Sequence, residues 1–174
     1  MKKKIIYIMM TVMLLCMTAC SSNFEKGSTL LEEQKIEEAK DAFLKSIEKE
    51  KDVADSYRGL GFCYYEQENY EEALKAFEQA LNEGTEITAP LYNLAGICAM
   101  KTSAYEKAVF YFEDGQKYEG ASEELLQEMA LNLVVSYEQL GELELAKEKL
   151  QDYVSRYPED EKAAKELEFL NTQS

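Results

Sequence analysis

The chain repeats itself. Tyr57, Gly61, Cys63, Tyr70, Ala73 and Phe77 recur as Tyr92, Gly96, Cys98, Tyr105, Ala108 and Phe112, each 35 residues later. Ile36, Ala39 and Phe43 precede Tyr70, Ala73 and Phe77 by 34. A later copy carries Tyr137, Gly141, Leu143, Ala146, Leu150 and Pro158, with Ala146 and Leu150 standing 38 residues after Ala108 and Phe112. The extra residues are placed in the loop around Gly120, Ala121 and Ser122. A period in this range signals a stacked array, because one unit cannot bury its apolar face alone and a row of neighbours can.

The pattern inside a unit is helical. Tyr70, Ala73, Leu74, Phe77, Ala80 and Leu81 fall at three- and four-residue steps and form one apolar stripe. Gly84, Gly120 and Gly141 stand where helices should stop. Pro158 falls between helices, and Pro90 in a first turn, where its missing N–H costs nothing. Ala163, Ala164, Leu167 and Leu170 line one side of a charged tail that reads as a capping helix. The expectation is an all-α solenoid of helix-turn-helix units at 20–53, 54–88, 89–126 and 127–160, closed by a capping helix and tail at 161–174.

These residues resemble the tetratricopeptide repeat. The copy from Ala54 carries the family pattern in Tyr57, Leu60, Gly61, Tyr64, Ala73, Phe77 and Ala80, with Thr85 where the family has Pro. The copy from Ala89 keeps Tyr92, Gly96, Ala108 and Phe112 but has Ala95 and Ala99 at positions the family fills with larger groups. Its first helix also fits one residue earlier, on Leu91, Leu94 and Ala95. The copy from Gln127 has Leu133, Val134, Tyr137, Ala146, Leu150 and Pro158, and the divergent first copy has Gly27 and Leu30.

By that resemblance the first helices line a concave groove. The implied groove residues are Phe24, Ser28 and Leu31; Asp55, Arg58, Phe62, Tyr65 and Glu66; Asn93, Ile97, Met100 and Lys101; and Glu128, Leu131, Val135, Glu138 and Gln139. Phe62, Ile97 and Val135 occupy the same place in three successive copies. An exposed apolar row of this kind marks a contact surface; the same row reads as core if the array closes over it. Only Arg58 and Asn93 stand at the basic and amide positions of the family's two-carboxylate clamp. Asp55, Glu66, Glu128 and Glu138 would repel a C-terminal carboxylate, so the resemblance implies a peptide with apolar anchors and basic flanks.

The N-terminus has a separate logic. Lys2, Lys3 and Lys4 precede an uncharged, mostly apolar run from Ile5 to Met17. That run is shorter than the roughly 18–20 residues of a spanning helix and reads as a secretory signal. Met17-Thr18-Ala19-Cys20 resembles the lipobox of bacterial lipoproteins. The resemblance implies removal of a lipoprotein signal peptide, residues 1–19, with cleavage between Ala19 and Cys20 and lipidation at Cys20. Acyl chains on Cys20 would tether the domain to the extracytoplasmic face of a bacterial cell membrane.

Composition narrows the function. The formal net charge is −15, and the leader holds three lysines and no acid. Such a surface repels nucleic acid and anionic lipid. No histidine is present, which removes the commonest general base and a common metal ligand. No phosphate loop, G-x-S-x-G or C-x-x-C occurs. No catalytic residue, cofactor or metal is therefore expected. Cys63 and Cys98 hold equivalent places on adjacent first helices. Helix axes pack about 8–10 Å apart, beyond the roughly 7 Å within which bridged Cα atoms lie, so both are expected as buried free thiols.

Two functions follow from these features. One is a membrane-anchored scaffold binding a segment of another envelope or exported protein, in the service of envelope assembly. The other is a carrier holding a lipid or small lipophilic ligand in the groove, which needs a closed pocket.

Overall fold

The computed structural model describes residues 22–172. Among these residues the regular structure is entirely helical: α1 Asn23–Glu32, α2 Ile36–Glu48, α3 Val53–Glu66, α4 Tyr70–Asn82, α5 Ala89–Lys101, α6 Tyr105–Gly115, α7 Glu123–Gln139, α8 Leu143–Arg156 and α9 Glu161–Thr172. Ala19 and Cys20, with the expected signal segment, lie outside the described residues.

Four antiparallel pairs, α1–α2, α3–α4, α5–α6 and α7–α8, stack in chain order, and α9 packs on α8. Each pair is closed by a tight turn with one left-handed residue. These are Gln34, Glu68, Ser103 and Gly141, with φ of 60°, 56°, 59° and 76°. Glycine fills that place only in the last pair. Gly84, at φ of 86°, lies just past the cap of α4, as the stop signal predicts; α6 instead ends at Gly115, and Gly120, at φ of 82°, lies within the connection that follows.

Close packing inside each pair rests on one repeated contact. A Cβ added to Gly27, Gly61 or Gly96 would lie 2.5–2.6 Å from the ring of Phe43, Phe77 or Phe112 respectively. In the fourth pair Val134 and Leu150 hold the same two places, both buried. The larger first-helix residue is matched by a smaller second-helix one, which conserves filled volume. Because Gly96 meets Phe112 as Gly61 meets Phe77, α5 follows the register that begins at Ala89. Leu91 and Ala95 are buried as well. Both readings of α5 looked acceptable because helices on either side cover it.

The residues inserted before the fourth unit lie mostly elsewhere than expected. They add only one residue to the connection around Gly120, 116–122 against 83–88 in the preceding unit. They lengthen α7, which has 17 residues against 13 in α5. Ser122 caps this helix, its hydroxyl accepting from the Leu125 amide, and Glu123 and Glu124 occupy the first turn. A hydroxyl cap and acids at an N-terminus favour beginning the helix there.

The tail forms α9, burying Ala163 and Leu170. Cys63 and Cys98 are buried free thiols, as the spacing predicts. Desolvation pushes them up to about 11 and about 12 respectively.

Candidate functional site

The first helices carry the expected groove residues. A cavity of about 490 Å3 lies between α5 and α7 and is lined by Ile97, Met100, Lys101, Tyr105, Glu128, Asn132, Val135 and Gln139. Three of the expected contact residues, Ile97, Met100 and Val135, therefore share one apolar wall. Val135 is 39% exposed. Tyr105 and Asn132 were not anticipated. Asn132 lies four residues after Glu128, one helical turn along the same face. Tyr105 opens the second helix of its pair, a place outside the family's groove positions.

Other expected residues sit apart from this cavity. Phe62 is half-buried, its ring set edge-on to Phe77 with centroids 5.6 Å apart. Tyr65 stacks edge-on to Tyr70 at 5.8 Å. Burial raises its phenol above the usual range. The Arg58 guanidinium lies 3.0 Å from Asp55, which also accepts from the Thr85 hydroxyl. Leu131 is half-buried against the main core.

Asn93 is only 5% exposed. Its Nδ2 donates to Glu128 at 3.2 Å, while its Oδ1 is buried without a hydrogen-bond partner. An orphaned buried acceptor is costly and calls for a donor. One carboxylate oxygen of Glu138 is similarly buried and unpartnered. Burial, and then the charge of Glu166, raises the Glu138 carboxyl above its ordinary value. Lys101 places its amine 5.9 Å from the centre of the Tyr70 ring. The cavity thus has an apolar wall with one acid, Glu128, and one cation, Lys101, on its lining.

A second cavity, of about 350 Å3, lies against α6, α7 and α8, between Glu113, Lys149, Arg156 and Tyr157. None of the expected groove residues lines it. Among the described residues no cluster of acidic and thiol groups could hold a metal ion. No helix among them is long and apolar enough to cross a membrane.

Comparison with known structures finds the same fold in proteins of low identity. YrrB, a tetratricopeptide-repeat protein with an unusual peptide-binding site, superposes with a TM-score of 0.74 at 21% identity, covering 87% of this chain and 75% of its own. A MamA structure from AMB-1 gives 0.70 at 15%, covering 87% and 80%. The MamA fragment from Desulfovibrio magneticus RS-1, residue 41 to its end, gives 0.68 at 20%, covering 87% and 82%. The curated proteins contain no match. Family models described as the tetratricopeptide repeat match residues 17–82, 52–118 and 128–160. Repeats of this kind build scaffolds for protein–protein interaction and are generally not enzymes. The repeats, their helix pairs and their shared glycine-on-phenylalanine contacts make this chain a member of the tetratricopeptide-repeat family.

Proposed function

We propose that the chain is a non-catalytic, membrane-tethered adaptor on the extracytoplasmic side of a bacterial envelope. Its groove holds a segment of another exported or envelope protein. The observation that carries this reading is the α5–α7 cavity, where Ile97, Met100 and Val135 form an apolar wall beside Glu128. Apolar contacts supply affinity, and the acid beside them selects against acidic guests. The tether follows from the resemblance of residues 17–20 to a lipobox.

A photo-crosslinking amino acid at Met100, introduced into the full-length protein in its native membrane, tests this directly. Mass spectrometry should identify one discrete protein segment with apolar residues and basic flanks. Crosslinks confined to lipid would establish the carrier reading instead. An absence of crosslinks at both Met100 and Val135 would remove the groove as a binding site.

A further inference from the structure

We infer that the groove does not end at α7: the capping helix α9 supplies its last wall through Phe169, and the full site takes a cationic amphipathic helix of a partner protein. This extension rests on the groove reading above.

The argument begins with spacing. Cys63, Cys98 and Ser136 hold the same place on α3, α5 and α7, and all are buried. Leu170 stands 34 residues after Ser136 and is buried too. Ala163 follows Met129 by the same step, and both are buried. So α9 presents the inward face of a first helix, although no second helix follows it among the described residues. The place just before the buried one then holds Phe62, Ile97, Val135 and Phe169. Phe169 is 56% exposed, a large apolar ring left in solvent where its equivalents Ile97 and Val135 line the cavity. Met129 and Val134 of α7 and Ala163 and Leu170 of α9 belong to one apolar core. Glu166 on α9 bears electrostatically on Glu138 of α7, which is one turn beyond Val135.

Charge and length indicate the occupant. Glu138 keeps a buried oxygen without a partner, and Glu166 is a second acid beside it. Of the cations nearby, Arg58 pairs with Asp55 and Lys165 lies 4.0 Å from Glu161, while Lys101, over the Tyr70 ring, lines the cavity together with Glu128. A cationic partner is therefore complementary. Three steps between four first helices span about 24–30 Å, at about 8–10 Å each. A helix of three heptads is about 31 Å long and returns the same face every seven residues, about 10.5 Å. Its apolar stripe matches the row.

The test uses a synthetic 21-residue amphipathic peptide of leucine and lysine in heptad spacing, titrated onto the full chain by fluorescence anisotropy. Val135→Ala and Phe169→Ala should each weaken binding by about tenfold, the scale of one anchor residue. Phe169→Leu should restore it. Phe110→Ala, at an equally exposed ring elsewhere, should change nothing. Circular dichroism checks that each variant stays helical. If Val135→Ala weakens binding and Phe169→Ala does not, α9 lies outside the groove and this inference fails while the groove reading stands. If Phe169→Ala alone weakens binding, the peptide sits on α9 by itself and the continuous site is refuted. If the wild-type chain does not bind the peptide, or neither alanine matters, both readings fall.

Discussion

The ring of Phe77 occupies the space that a side chain at Gly61 would need, with the nearest approach to an added Cβ at 2.5 Å. This contact sets how closely α3 and α4 approach. Gly61→Ala forces either the ring or the helix to move, and overpacking of this kind costs about 1–3 kcal/mol. Urea unfolding followed by circular dichroism measures it. Adding Phe77→Leu should recover part of the loss, because the fourth pair already combines Val134 with Leu150. Gly84→Ala meets no neighbour, yet its φ of 86° is strained for an L-residue, so about 1 kcal/mol is expected there from conformation alone.

The two thiols should be inert in the folded chain and should govern part of its alkaline limit. Buried Cys63 and Cys98 ionise only at about 11 and about 12, against an ordinary 9.0. The reactive thiolate is therefore scarce at pH 8. A disulfide reagent should label neither without denaturant and both in urea. Folded values raised above unfolded ones give stability that is full below pH 9 and falls as pH rises towards 12. Tyr92, Tyr137 and Tyr153, also pushed up to about 12 by burial, act in the same direction. Urea midpoints measured from pH 8 to pH 11 should decline, and more shallowly for the chain carrying Cys63→Ala and Cys98→Ala together.

Much of this fold was legible because the repeat encodes contacts that the structure reproduces. Gly61 with Phe77 and Gly96 with Phe112 are visible as paired offsets before any coordinates. The capping helix and the buried thiols follow from the same register. The start of α7 was not legible, since Ser122-Glu123-Glu124 reads equally as loop or as a capped first turn. Asn93 shows another limit. A polar residue on a groove-facing position suggests an open surface, whereas Glu128 of α7 reaches back to it and leaves Asn93 buried. Tyr105 lines the cavity from a second helix, where groove positions taken from first helices do not look.

Glu138 should cost stability at neutral pH. Burial and Glu166 raise its carboxyl, so the fold favours the protonated form more than the unfolded chain does. A raised folded value gives stability that is present below the unfolded value and lost as pH rises through the folded one. Glu138→Gln imitates the protonated form. It should raise the urea midpoint at pH 7, and the difference should close as both proteins are taken below the ordinary carboxylate range. An equal gain at every pH would show that charge is not the cause.

The tether predicts a chemical change at Cys20. Expressed in a bacterium with a labelled fatty acid, the full chain should carry label and partition with membranes. Cys20→Ser should carry none and should either retain its leader or be released. Label on the Cys20→Ser protein would place the acyl chain elsewhere and remove the lipobox interpretation.

Phe62 and Val135 hold the same repeat position but should behave differently when each becomes Glu. Phe62 leans on Phe77 at 5.6 Å, so a carboxylate there meets the core contact that holds α3 to α4. Loss of about 1–3 kcal/mol is expected, together with loss of any guest. Val135 is 39% exposed on the cavity wall, and a surface change of this kind usually stays within about 0.5 kcal/mol. Val135→Glu should therefore leave the urea midpoint nearly unchanged while abolishing crosslinks from Met100 in the native membrane. Retained crosslinking by a folded Val135→Glu chain would show that the guest does not lie along this row. A large fall in its midpoint would show that the row is core.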